Sequence, residues 1–244
     1  MLVSILSVAY NSEKTIARTI ESVLNQTYTS IEYIIIDGES KDKTVEIAKS
    51  YKDSFEQKGW KYEVISEPDQ GMYDALNKSA KLAQGELIGQ INTDDWYELD
   101  AVQTMVELYE LEHYDVAWGS IRMCGKTTWV KHAHIGKLWT TAGWCHPGMF
   151  SRREILLAFP YPLESMYDDF DYITAVHSAE KKIITTDHII SNFTFGDGGM
   201  STQKSLKEVK RRADITYGIY KKYGMSKFYW FYRYAYEFVK YVVG

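Results

Sequence analysis

Along the first half of the chain, apolar residues fall in short blocks separated by polar turns, and the blocks alternate between two spacings. Residues 2–8 form a continuous apolar run, as a central strand covered on both faces requires. Ile16, Ile20, Val23 and Leu24 then share one helix face, with Asn11 or Ser12 placed to cap that helix. A second strand is predicted at 32–36, ending at Asp37-Gly38, followed by a helix at 44–51 and a third strand at 62–66. Met72, Ala75, Leu76, Ala80 and Ala83 mark another helix, with Gly85 where a helix stop is expected. A fourth strand at 86–92 ends at Thr93-Asp94-Asp95, and a helix follows at 99–111. Beyond it the pattern changes to two paired strands, 116–123 and 127–134, around a Gly125-Lys126 turn. Alternating strands and helices predict an α/β fold built as one domain.

Composition adds little to this picture, but charge adds something. The 244 residues are 45% hydrophobic and 25% charged, as in ordinary globular proteins. The net charge is −5, yet residues 204–244 hold ten Lys and Arg against three Asp and Glu, which leaves −12 on the first 203 residues. An acidic body argues against nucleic acid as a partner. Cys124 and Cys145 fit no metal-ligand spacing and suit a reducing cytosol. The N-terminus lacks a basic n-region and a cleavage site, so it reads as a strand and not a leader. No stretch approaches the ~20 apolar residues of a spanning helix.

In open α/β sheets ligands bind beyond the carboxyl ends of the strands. Three predicted strands end in polar groups, at Tyr10-Asn11, Asp37 and Asp94-Asp95, and these are expected to meet in one crevice. GxGxxG and GxxxxGK[ST] are both missing, which disfavours dinucleotide dehydrogenases and P-loop NTPases. Asp94-Asp95 suits a divalent cation bound jointly with a diphosphate; equally, Asp95 with Glu98 has the spacing of a helix cap. Asp74 and Asn77 share a helix face. Asp168, Asp169 and Asp171 crowd a helix start, where neighbouring carboxylates can raise one another's pKa and produce a base. His146-Pro147-Gly148 is a turn with a lone histidine, and Gly198, Gly199 and Ser201 belong to a loop that could close over phosphates.

Taken in order, seven segments resemble the family 2 glycosyltransferases, the inverting enzymes of bacterial surface-polysaccharide assembly. They are Ser7-Val8-Ala9-Tyr10-Asn11, Ser22-Val23-Leu24-Asn25-Gln26-Thr27-Tyr28, the stretch from Ile36-Asp37-Gly38 to Thr44, Glu67-Pro68-Asp69-Gln70-Gly71 through Lys78, Asn92-Thr93-Asp94-Asp95-Trp96, His146-Pro147-Gly148-Met149-Phe150 and Asp168-Asp169-Phe170-Asp171. The resemblance implies a GT-A fold, a mixed and mainly parallel sheet flanked by helices. Residues 1–203 would be the catalytic domain, with 1–112 binding the nucleotide sugar and 113–203 the acceptor; 204–244 would be a helical extension. It also implies donor contacts from Ala9, Tyr10, Asn11, Asp37, Asp74, Asn77, Thr93 and Asp94. Asp95, with Asp94, would hold Mn2+ or Mg2+. Asp169, or its neighbour Asp168, would be the base, and His146, Gly198, Gly199 and Ser201 would touch acceptor or phosphate. The QxxRW motif and spanning helices of processive synthases are absent, which favours one sugar per visit. A nucleotidyltransferase of related fold would open with a glycine-rich loop and a basic residue, where Tyr10-Asn11-Ser12-Glu13 stands instead; a non-catalytic scaffold would have lost the acidic groups.

The tail carries a separate expectation. Residues 217–244 interleave eight tyrosines, Phe228, Trp230, Phe231 and Phe238 with Lys and Arg. Such a helix can lie on an anionic membrane, here the inner face of the plasma membrane where a lipid-linked oligosaccharide acceptor would sit. Packing on the protein's own core, or on a partner chain such as a second copy, is the alternative.

Overall fold

A computed structural model describes residues 1–195 and 205–243. In chain order the elements are β1 (Val3–Ala9), α1 (Ile16–Leu24), β2 (Ile31–Asp37), α2 (Thr44–Ser50), α3 (Lys52–Gln57), β3 (Lys61–Ser66), α4 (Met72–Leu82), β4 (Leu87–Gln90) and β5 (Trp96–Tyr97). There follow α5 (Ala101–Glu112), β6 (Val116–Cys124), β7 (Thr128–Lys131), a 3-10 turn at His146–Gly148, β8 (Met149–Arg152), α6 (Arg153–Ala158), α7 (Asp168–Ser178), β9 (Ile183–Thr194), α8 (Leu206–Lys222) and α9 (Phe228–Val243). One sheet runs β3-β2-β1-β4-β8-β6-β9-β5, with β7 paired to β6. Strands β3, β2, β1, β4, β6 and β9 share a direction, while β8, β7 and β5 oppose it.

Side chains of β1 and β2 alternate between two cores. Val3, Ile5, Tyr33 and Ile35 face α1, α3 and α5 through Ile16, Ile20, Phe55 and Val102. Leu6, Ile34 and Ile36 face the other way, toward Leu76 of α4, Phe170 of α7 and Ile219 of α8. Burial on both faces is why these strands read as unbroken apolar runs. Among the polar residues inside, Ser4 donates to Glu32 Oε1 at 2.5 Å, and Ser7 donates to the Ile91 carbonyl at 2.6 Å.

Three local expectations are corrected. Neither Asn11 nor Ser12 caps α1; Asn11 adopts φ +48° and its Oδ1 accepts from Lys41 N at 2.8 Å, tying the loop after β1 to the loop after β2. Asp95 does not cap α5, which begins after Asp100; its partner is Thr194 N at 2.8 Å. Gly85 does not stop α4, which ends at Leu82 with Ala83 extended (ψ 140°). Glycine is required at 85 by proximity instead, since a Cβ there would lie 2.5 Å from Ser4 N and 2.9 Å from Leu2 O. Gly85→Ala must push β1 and β4 apart and is expected to cost about 1–3 kcal/mol in denaturant unfolding.

The C-terminal helices form an antiparallel pair on the α4–α7 side. Ser205 caps α8, accepting from Glu208 N at 3.1 Å. The Tyr220 hydroxyl donates to the Trp139 carbonyl at 2.8 Å, and Tyr229 accepts from Trp139 N at 2.9 Å. Within α9 Arg233 pairs with Glu237 at 2.6 Å, both buried, and its Nε donates across to Thr216 Oγ1 of α8 at 2.8 Å. The extension is therefore partly core, as one expected alternative required. Its outer face is open: Phe228, Trp230, Phe231, Phe238, Val239 and Val242 are 48–66% exposed. No helix among the described residues is long and apolar enough to cross a membrane.

Candidate active site

Parallel pairing brings the predicted strand ends together. Ala9 lies opposite Asp37, and Asp37 opposite Ser66, so β1, β2 and β3 finish level. Asp37 is fully buried and its carboxylate is engaged, accepting from Ser40 N at 3.0 Å, from the Ser40 hydroxyl, and from Ser66 Oγ at 2.7 Å. It thus organises the loop that Asn11 also grips, through Asn11 N to Ser40 Oγ at 2.7 Å. Ala9 is buried beneath, while Tyr10 stands 65% exposed and can offer its ring to a planar ligand.

At the end of β4, Thr93 is buried and donates to Val8 O at 3.2 Å, fastening the acidic pair to β1. The pair divides. Asp94 points outward and is exposed, its backbone carbonyl held by Arg18 Nη2 at 2.7 Å, and the Arg18 guanidinium lies 3.7 Å from the Trp96 ring centroid. Asp95 is fully buried, and its Oδ2 has no hydrogen-bond partner among the described residues. Burial, reinforced by the neighbouring charge of Asp94, pushes the Asp95 carboxyl up to about 8. A buried carboxylate oxygen with nothing to oppose it fits a cation, so the residues present suit the expected metal. Among the described residues no group of three or more His, Cys, Asp or Glu converges, so phosphate and water would complete the shell.

The acidic start of α7 also divides. Asp168 is buried and spent on the preceding loop, accepting from Ser165 N at 2.7 Å and Glu164 N at 3.0 Å. Asp171 anchors α8, meeting Lys222 Nζ at 3.0 Å and the Tyr223 hydroxyl at 2.5 Å. Asp169 keeps partial exposure and accepts from Phe170 N at 2.7 Å, while the neighbouring Tyr73 hydroxyl donates to the Met166 carbonyl at 3.2 Å. Burial among these groups pushes its carboxyl up to about 7, the value of a working general base.

Other expected contacts are committed elsewhere. Asn77 is spent on the Tyr161 backbone, through Nδ2 to O at 2.8 Å and Oδ1 to N at 3.0 Å. Asp74 pairs with Lys78 at 3.3 Å. His146 meets Gln90 Oε1 at 2.9 Å, and burial pushes its imidazole down to about 4, so the ring is neutral. Gly198, Gly199 and Ser201 lie outside the described residues. Sequence reasoning missed Tyr73 and Gln90; the available signal was a polar side chain inside the apolar run of β4.

Asp94 thus stands exposed after β4, Asp169 lies at the start of α7, and Asn11 ties the loops after β1 and β2 together. The model of "Glycosyl transferase family 2" matches residues 4–169, and so spans both carboxylates. The chain belongs to this family. Among curated relatives, the Escherichia coli UDP-Glc:alpha-D-GlcNAc-diphosphoundecaprenol beta-1,3-glucosyltransferase WfgD is 24% identical over 221 residues, covering 88% of this chain and 85% of the relative. An Escherichia coli chondroitin synthase is 38% identical over 106 residues, 43% of this chain, and the match spans 15% of that longer protein. Among solved structures, Staphylococcus aureus TarS 1–349 with UDP-GlcNAc superposes with TM-score 0.70 at 18% identity, over 91% of this chain and 65% of that one. A Pyrobaculum calidifontis mannosyltransferase with GDP-Man and Mn2+ gives 0.63 at 14% identity, over 87% and 61%. These likenesses establish the GT-A fold, and the family match makes the chain a glycosyltransferase.

Proposed function

We propose that this family 2 enzyme is a non-processive inverting transferase that moves one sugar from a UDP-sugar to a saccharide acceptor carried on a lipid, in bacterial surface-polysaccharide synthesis. The observation that carries the reading is Asp169: half-buried, beside Tyr73, with its carboxyl pushed up to about 7. The UDP-GlcNAc complex of TarS and the diphosphoundecaprenol substrate in the name of WfgD support the choice of donor and acceptor class.

In this reading Tyr10 covers the base while Ala9 and the Asp37-held loop shape its pocket. Asp169 takes the proton of the acceptor hydroxyl as that oxygen bonds to the anomeric carbon. The bond from that carbon to the diphosphate oxygen breaks on the opposite face, which inverts the centre. Mn2+ or Mg2+, held by Asp94 and the buried Oδ2 of Asp95, would neutralise charge on the departing diphosphate. The exposure of Asp94 suits it to the outer position of the expected pair, with Asp95 inside. Titration of a panel of nucleotide sugars with Mn2+ tests the reading, and binding of none of the UDP-sugars would sink it.

The lipid part rests on α9. Its exposed face is aromatic, and Lys227 and Lys240 stand exposed at its two ends, suiting an anionic bilayer on the cytoplasmic side. Phe231→Ser with Phe238→Ser is expected to weaken co-sedimentation with phosphatidylglycerol vesicles about tenfold or more, given ~1.5 kcal/mol or more per buried aromatic side chain. Unchanged vesicle binding refutes this; a wild-type dimer that the substitutions dissociate would assign the face to a second copy.

A further inference from the structure

The segment 94–102 carries little regular structure: β5 within it is two residues long, and α5 begins only at Ala101. Its backbone groups need partners from elsewhere, and one side of α1 supplies them. Thr19 Oγ1 donates to the Asp95 carbonyl at 2.6 Å, and Ser22 Oγ accepts from Tyr97 N at 3.1 Å. Gln26 holds the far end, donating to the Glu98 carbonyl at 2.7 Å and accepting from Val102 N at 3.0 Å. Residues three and four apart on a helix are neighbours, so 18, 19, 22 and 26 line up along the segment. Thr19 and Gln26 are buried parts of the packing, whereas Arg18 stands exposed at the acidic end.

Arg18 grips that end in two ways. Its Nη2 donates to the Asp94 carbonyl at 2.7 Å and to Thr194 Oγ1 at 3.1 Å, while its guanidinium lies 3.7 Å from the Trp96 ring centroid. Thr194 completes the arrangement: its hydroxyl donates to the same Asp94 carbonyl, and its N–H donates to Asp95 Oδ1 at 2.8 Å. A planar guanidinium can stack on an indole and still donate within its own plane, which the ammonium of lysine does not. The acidic turn is thereby pinned to α1 and β9 together. Its Asp94 carboxylate faces solvent, and Asp95 Oδ2 has no partner among the described residues. Adjacent carboxylates repel one another, so an unpinned turn would relax by swinging Asp94 away from Asp95.

We infer that Arg18 is a positioning residue, pinning the turn so that Asp94 and Asp95 can share one divalent cation; this rests on the reading of that pair as the metal site. Arg18 acts through the Asp94 backbone and touches neither cation nor sugar. Groups that orient metal ligands from behind are commonly worth about 10- to 100-fold in metal affinity.

Arg18→Met keeps an unbranched apolar stem and removes the donors, and Arg18→Lys keeps the charge without the planar fork. Both are to be titrated with UDP at a series of Mn2+ concentrations, beside wild type and Asp94→Ala, with bound Mn2+ read from loss of the free-ion EPR signal. Half-saturation by Mn2+ is expected to rise about 10- to 100-fold in both, with metal-free UDP affinity within about twofold of wild type. Tm without metal should stay within about 3 °C, as for a surface substitution. Sugar transfer should return toward the wild-type rate as Mn2+ is raised, because both carboxylates are intact. Thr194→Val removes the hydroxyl that Arg18 and Asp94 share; it should shift Mn2+ the same way, and less than additively with Arg18→Met. Unchanged Mn2+ half-saturation in Arg18→Met, beside a lost Mn2+ gain in Asp94→Ala, refutes the role of Arg18 and leaves the metal site standing. Wild-type Mn2+ binding by Arg18→Lys also refutes it, since charge alone would then suffice. A loss of metal-free UDP affinity of about tenfold or more would make Arg18 a phosphate contact instead. If wild-type UDP affinity is indifferent to Mn2+, the metal reading of Asp94 and Asp95 falls, and the role of Arg18 falls with it.

Discussion

Asp169→Asn is expected to lower the rate of sugar transfer about 100- to 10,000-fold, the span usually lost with a general base, while UDP-sugar affinity stays within about twofold. Asparagine preserves the size of the side chain and its acceptance from Phe170 N, and removes only the capacity to take a proton. Wild-type kcat/KM should rise with pH on a slope of one and level off above about 7, where the Asp169 carboxyl ionises. At pH 6 the rate should stand at about a tenth of the plateau. Stability should move the opposite way. A carboxyl raised in the folded state above its unfolded value contributes stability that is complete below about 4 and is lost as pH rises through about 7. Asp169→Asn should therefore hold or raise Tm at pH 8. Asp168→Asn should differ in kind, because it weakens the ties to Ser165 and Glu164 and so lowers Tm, with activity falling only as that loop loosens. Full activity of Asp169→Asn with a folded, inactive Asp168→Asn would transfer the role of base to Asp168.

The contrast between those two aspartates shows how far the sequence could be read. Strands β1 and β2 were legible because burial on both faces leaves an unbroken apolar run, and α1 and α4 because one face is apolar. The carboxyl-end crevice followed from that alternation alone. Local polar patterns misled where the true partner was remote. Asp95 looked like a cap for a helix just ahead of it, yet it bonds Thr194 on the far strand β9; Asn11 reaches Lys41 and not its own helix. Strands β8 and β9 and helix α6 were not anticipated, since the mixed end of the sheet repeats no single spacing. Asp168, Asp169 and Asp171 are equivalent in composition, and only packing separates a loop tie, a candidate base and an anchor for α8.

Asp94→Ala is expected to reduce metal-dependent turnover about 100- to 1,000-fold and to abolish the gain in UDP affinity that Mn2+ provides, as loss of one preorganised charge-stabilising group does elsewhere. Asp94 is the carboxylate of the pair that reaches solvent, and Arg18 holds its backbone, so truncation removes that carboxylate without disturbing the turn. Asp95→Asn tests the inner position separately. Its Oδ1 bond from Thr194 N survives as an amide oxygen, so the fold should persist. The orphaned Oδ2 becomes an amide nitrogen that cannot bind a cation. Saturating Mn2+ with UDP should stabilise wild type by about 2.7 kcal/mol at one hundred times Kd, and this gain should shrink in Asp95→Asn and vanish in Asp94→Ala. Thermal unfolding with and without Mn2+, at fixed UDP, separates the two positions. If Asp95→Asn keeps the full Mn2+ gain, the buried carboxylate belongs to the fold and Asp94 carries the cation alone. If Asp94→Ala keeps it, the acidic pair is not the metal site, and the leaving diphosphate must be neutralised by other groups.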